Sequence, residues 1–233
     1  MSLGIDFTYI FEILPKFIRV VPYTILIIAI SGTLGLFLAV IVTAIRIKKI
    51  KILNQITGIY ISFFRSTPSI IHLFLVYYGL PILLGTFGIN INWWSRSAFS
   101  ILALVLFNGA YVSEILRPAY LAVDKGQHEA AESIGLSGVK KFYRIICPQA
   151  IPIALPNLGN ALIDLIKDTS VLFIIGLVDI MGKAKLLIAN DYGVKKLEVY
   201  IAVGLIYWVI TFVADVGIKA LEKKCRIIDN KHH

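Results

Sequence analysis

Long stretches without Asp, Glu, Lys or Arg recur along the chain. Such a stretch fills the 26 residues between Arg19 and Arg46, and another the 30 between Arg65 and Arg96. A third fills the 17 residues between Arg96 and Glu114, and a fourth the 19 between Arg144 and Asp164. The fourth is followed by an apolar run from Thr169 to Val178, and a fifth stretch fills the 16 residues between Glu198 and Asp215. About 20 mostly apolar residues in a helix cross the hydrocarbon core of a bilayer. The pattern therefore predicts an all-α integral membrane protein with five main transmembrane helices, the fourth interrupted by polar residues.

Residues 1–20 read differently. The segment from Ile5 to Arg19 mixes Asp6, Glu12 and Lys16 with aromatic and Ile residues. It lacks the basic start and small-residue cleavage site of a signal peptide, and predicts an amphipathic helix lying in the interface. Residues 21–222 form the membrane domain, and residues 223–233 a tail. The one long connection, Val123 to Pro148, predicts two short helices, about Gln127 to Ile134 and about Ser137 to Ile146. Gly135 stands between them, where a left-handed residue ends a helix. Loops of this length inside a compact domain are usually functional.

Composition agrees with the pattern. Hydrophobic residues make up 58% and charged residues 16%, with a mean hydropathy of +0.83. An ordinary soluble enzyme or a disordered chain does not have this balance. The net charge of +9 reads as Lys and Arg placed beside a membrane, not as a nucleic-acid footprint. Five spans put the two ends on opposite sides. One side collects fifteen basic residues, among them Arg46, Lys48, Lys49, Lys51, Lys140, Lys141 and Arg144, and the other collects seven. The richer side is cytoplasmic by the positive-inside rule. The N-terminus is then outside and the C-terminus inside, with Trp93 and Trp94 in an outer aromatic belt.

Metal and disulfide chemistry have no support. Cys147 and Cys225 are the only cysteines and lie far apart. His232 and His233 end the sequence and take no part in the fold argument.

Several ordered motifs carry a family likeness. Glu129-Ala130-Ala131, then Gly135, then Ile146-Cys147-Pro148, resembles the EAA loop of permease subunits of bacterial ATP-binding cassette importers. Lys125-Gly126-Gln127-His128 opens that loop. The flanks are similar to the polar amino acid uptake branch: Arg65-Ser66-Thr67-Pro68, Gly109 to Arg117, Leu155 to Asn160, and Lys167-Asp168-Thr169-Ser170. The resemblance covers roughly residues 22–221. It departs at Cys147, where the family usually has Leu, and at Ser66, where it often has Gly.

The resemblance implies a permease that does no catalysis itself. Two ATPase subunits, which would hold the ATP and magnesium, would dock on the loop. A second permease, identical or similar, would complete the pathway, and an extracytoplasmic binding protein would deliver an amino acid. The chain itself would need no cofactor, and its place would be the bacterial plasma membrane. Gln127, Glu129, Ala130, Ala131 and Gly135 would form the coupling helix: alanines permit close approach, and Glu129 offers a charge-assisted contact. The bland alternative is a helical hairpin that packs on its own subunit. A phosphate loop at Gly176 to Lys183 is rejected: it has five residues between glycines and Ala184 where Ser or Thr is required.

Inside the membrane, Asn157, Asn160, Asp164 and Asp168 share one helical face by their spacing of 3, 4 and 4. Lipid-facing Asp costs roughly 2.5–3.5 kcal/mol, so this face must look at protein or water. The resemblance places the substrate's α-ammonium and α-carboxylate at Asp168 and Lys167, with Thr67 as a hydroxyl partner and Asn160 and Asp164 lining the path. The competing reading is an internal ion pair that fixes a broken helix. An ion-gradient-driven secondary transporter, with Asp164 or Asp168 as the ion site, is the alternative function. A membrane enzyme would need a nucleophile–base pair, which is not visible. The Val123-to-Gln127 wording leans toward the L-cystine members.

Overall fold

Uninterrupted apolar stretches become long helices, because a helix satisfies every backbone polar group within its own segment. The computed structural model describes residues 5–229, and all regular structure among them is helical. Helix α1 is Phe7–Ile18, α2 Val21–Lys48 and α3 Lys51–Ser66. Helices α4 (Ser69–Phe74) and α5 (Leu80–Gly85) join through a π-turn at Leu75–Gly79. Next come α6 (Arg96–Leu121), α7 (Lys125–Ser133) and α8 (Gly138–Lys141). A second π-turn, Phe142–Ile146, leads into α9 (Cys147–Asp168), which tightens into a 3₁₀ segment over Thr169–Ile175. Helices α10 (Ile180–Asn190) and α11 (Lys196–Asp229) complete the chain. Residues 1–4 and 230–233, the last part of the expected tail with Lys231, His232 and His233, lie outside the described residues.

Among the described residues, three helices are long and apolar enough to cross a bilayer: Val21–Lys48, Arg96–Leu121 and Lys196–Cys225. The α3 and α4–α5 pair, bent by 118°, makes a fourth candidate. The expected fourth stretch became α9, which is 22 residues long but carries Pro148, Pro152, Pro156 and its polar face. It falls outside that apolar set.

Small residues let the central pair approach. The buried stripe of α2 includes Ser31, Gly35 and Ala39, one per turn, against Asn108, Gly109 and Val112 of α6. A Cβ on Gly35 would stand 2.6 Å from Asn108 Nδ2, and one on Gly109 would stand 2.7 Å from Leu38 Cδ2. Close backbone contact between small residues is how helices associate in lipid, where no hydrophobic drive exists. The core of this half gathers Ile27, Leu73, Phe99, Leu104, Leu165 and Leu172.

A second core joins α1, α10 and α11. Ile10, Ile13 and Phe17, on one face of α1, pack with Ile180, Ala184, Val199 and Ala202. The N-terminal segment is amphipathic, as its pattern predicts, but its buried face meets protein. Phe7, Phe11 and Ile18 remain exposed on its other sides. Asp6 caps α1 by accepting from the Tyr9 amide, and its carboxylate pairs with Lys195 Nζ at 2.6 Å.

Two further departures have local causes. The second loop helix does not stand apart: α8 runs through the π-turn into α9. Pro148 lacks an N–H, and the wider turn just before it absorbs the missing bond. Helix α10 is new. Its signal is Asp179, whose carboxylate caps the Gly182 amide at 2.8 Å, a helix start that an apolar-run search passes over. The exposed Phe37, Ile82, Trp208 and Val213 suit a lipid-facing surface.

Candidate functional site

Helix α9 is two-sided. Ala154, Gly159, Ala161, Leu165 and Ile166 are buried. Asn157, Asn160, Asp164 and Lys167 are exposed, and Asp168 is half-buried. Gly159 sets how closely α11 can lie, since a Cβ there would stand 2.5 Å from Ile218 Cγ2. The polar face expected from spacing is thus real, and this subunit leaves it uncovered.

Its charges are arranged differently from the simplest expectation. Lys167 Nζ pairs with Asp164 Oδ1 at 3.3 Å, one turn earlier on α9. Asp168 stands beside the Ser69 hydroxyl at the start of α4. The α-helix ends at Asp168 and gives way to the tighter 3₁₀ segment at Thr169. Thr169 is fully buried; its hydroxyl donates to the Ile166 carbonyl and meets Tyr207 Oη at 3.3 Å.

Thr67 faces elsewhere. Its hydroxyl donates to the Phe63 carbonyl at 2.8 Å and meets His72 Nε2 at 2.5 Å. The hydroxyl at Asp168 is therefore that of Ser69. Ser69 directly follows the Arg65-Ser66-Thr67-Pro68 motif, so only the position next to that motif pointed to it. His72 is 1% exposed and is packed by Phe63, Phe64 and Phe107, as a buried structural histidine would be.

The loop forms a compact cap. Asp124 Oδ1 accepts from the Gly126 amide at 2.8 Å and starts α7. Gly135, at φ +71°, ends the following turn. The Leu136 amide reaches back to the Ala131 carbonyl at 3.1 Å, a left-handed helix stop that favours glycine. Gln127, Glu129 and Ala130 are exposed, while Ala131 is buried in this subunit. Ala131 thus fastens α7 to its own chain, and Glu129 and Ala130 are presented outward. Ile134, Val139 and Tyr143 of the same loop are also exposed. Glu132 and Lys141 pair at 2.5 Å and tie α7 to α8. The hydrogen bond from Lys141 holds the Glu132 carboxyl below its ordinary range, and the same bond raises Lys141.

Arg65 and Arg117 share one acid. Arg65 Nη1 lies 3.5 Å and Arg117 Nε 3.4 Å from the Glu114 carboxylate. Glu114 and Arg117 form an i,i+3 pair within α6, and Arg65 adds a tie from α3. Asp215 pairs within α11, with Lys219 at 2.6 Å.

Relatives with known names share this framework. Residues 31–227 match the family described as binding-protein-dependent transport system inner membrane component. The L-cystine transport system permease protein TcyL of Bacillus subtilis (strain 168) is 38% identical over 226 residues, covering 97% of this chain and 94% of TcyL. The arginine transport system permease protein ArtQ of the same organism is 35% identical, covering 97% of this chain and 100% of ArtQ. A crystal structure of an amino acid ABC transporter with histidines superposes with a TM-score of 0.81 at 30% identity, covering 95% of this chain and 100% of that one. The inward-facing MetNI methionine ABC transporter shares the fold, with a TM-score of 0.63 at 20% identity over 88% of this chain and 95% of that one. The chain therefore belongs to the family of binding-protein-dependent transport system inner membrane components, the multi-pass permease subunits of ATP-binding cassette importers.

Proposed function

We propose that this chain forms the translocation pathway of an ATP-driven amino acid importer. In this reading it has five spans, α9 included, with the N-terminus outside and the C-terminus inside, in a bacterial plasma membrane. A polar amino acid is the substrate, with L-cystine favoured by the likeness to TcyL. The observation that carries the proposal is the uncovered polar face of α9 ending at Asp168. Charged side chains inside a bilayer face a partner or a water-filled cavity. A second permease, identical or homologous, closes this face and makes the path.

The residues take distinct roles. Asp168 receives the α-ammonium, and Lys167 turns from Asp164 to the α-carboxylate. Asn160 and Asp164 line the approach, and Thr67 supports the α3–α4 bend through His72. Glu129 and Ala130, with Gln127 on the same helix, dock on an ATPase subunit, two of which bind ATP and magnesium. Ala131 and Gly135 fix that helix to the loop. An extracytoplasmic binding protein delivers the substrate, and this chain performs no hydrolysis.

Asp168→Asn in the reconstituted transporter tests the reading. Uptake and substrate-stimulated ATP hydrolysis should fall by about tenfold or more, as expected for loss of a charge-assisted contact. Unchanged uptake and stimulation would remove Asp168 from the substrate site.

A further inference from the structure

A cleft of about 360 Å³ opens between α2, α3 and α6, lined by Arg46, Gly58, Ile61, Ser62, Arg65, Ser66 and Glu114. Its charges do not cancel. Glu114 is shared by Arg65 and by Arg117, which comes from one turn along α6. Arg46 has no acid partner among the described residues. Its one side-chain hydrogen bond there is long, from Nη1 to Asn54 Oδ1 at 3.4 Å. Its Nε is buried with no acceptor. A guanidinium carries five N–H donors in a planar fork that matches phosphate oxygens. A guanidinium left this unsatisfied, beside two serine hydroxyls, is suited to an oxyanion.

The cleft's position indicates what carries the oxyanion. Helix α3 has the cleft on one side. On the other it exposes Ile52, Ile56 and Ile59, an amphipathic pattern of a helix lying at headgroup depth. Lys48 ends α2, Lys49 caps it, and α3 opens with Lys51, all three exposed. Basic pockets between helix ends, rimmed by lysines, hold anionic lipid headgroups. Gly58 keeps the inner wall open, since a Cβ there would come within 3.4 Å of Arg46 Nη1.

We infer that this cleft binds a phosphate-type oxyanion, carried by the headgroup of an anionic phospholipid and held by Arg46, Arg65, Ser62 and Ser66. The site needs only that the chain sits in a bilayer.

The assembled transporter in phosphatidylcholine nanodiscs provides the test, with thermal stability read against increasing phosphatidylglycerol and, separately, inorganic phosphate. The wild type should gain stability with phosphatidylglycerol. In Arg46→Gln the half-saturating fraction should rise by about tenfold or more. Ser62→Phe keeps every charge and fills the cleft, so it should lose the response while matching the wild type in phosphatidylcholine alone. A response to inorganic phosphate without one to phosphatidylglycerol would overturn the lipid assignment. Equal phosphatidylglycerol responses in the wild type and both variants would overturn the site.

Discussion

Lys167 is paired with Asp164 rather than with its neighbour Asp168, its Nζ lying 3.3 Å from Asp164 Oδ1. Both side chains are at least half exposed, at 63% and 50%. An exposed pair of this kind is worth about 0–1 kcal/mol, so a substrate carboxylate can compete for the ammonium. Lys167→Met should raise the KM for uptake by about tenfold or more. Asp164→Asn, which only releases the lysine, should stay within about fivefold of the wild type. Equal effects of the two substitutions would make the pair structural.

Gly35 and Asn108 fix the spacing of α2 and α6. Gly35→Ala should destabilise the protein by about 1–3 kcal/mol through overpacking, because the added Cβ would sit 2.6 Å from Asn108 Nδ2. Shortening the partner with Asn108→Ala should recover most of that loss. Thermal unfolding in detergent of the two single variants and the double variant measures it as a double-mutant cycle.

Glu114 joins α3 to α6 through Arg65 and Arg117. Glu114→Gln leaves both guanidiniums without their acid and should destabilise more than Arg65→Gln, which leaves the Arg117 pair intact. Hydrogen exchange over α3 is the readout, and faster exchange in Arg65→Gln than in Glu114→Gln would contradict this arrangement.

The Glu132–Lys141 pair sets a pH window for the loop. The carboxyl is lowered by the lysine's hydrogen bond from an ordinary value of 4.5. Its stabilising effect is therefore complete above that value and is lost as pH falls below it. Lys141 is raised from 10.5 by the same bond, so its effect is complete below that value and lost as pH climbs above it. Hydrogen exchange of α7 should therefore show constant protection between about pH 5 and 10, after correction for intrinsic rates. Glu132→Gln should lower that protection. Protection unchanged in Glu132→Gln would show that the pair does not hold the loop.

Much of the fold was legible because bilayer physics writes itself into composition. The charge-free stretches before Arg46 and Glu114 became α2 and α6, and the spacing of Asn157, Asn160 and Asp164 gave the exposed face of α9. Gly135 ended its helix in the left-handed conformation its position predicts. What stayed hidden depended on tertiary contact. Nothing local tells that Ser69 stands beside Asp168, or that Ala131 packs inward while Ala130 does not. The cleft at Arg46 joins three helices, and no window of sequence contains it. Helix α10 was missed because its apolar residues pack on α1 and α11 within a stretch broken by Lys183 and Lys185.

The central claim is that this chain conducts the solute while a separate ATPase supplies the energy through the loop around Glu129. Uptake of a labelled amino acid into proteoliposomes tests it most directly, comparing the purified chain alone with the chain assembled with its ATPase and binding protein. Accumulation should require the assembly and ATP on the loop side, and Glu129→Ala should uncouple it. Uphill uptake by the chain alone, driven by an ion gradient, would contradict the account.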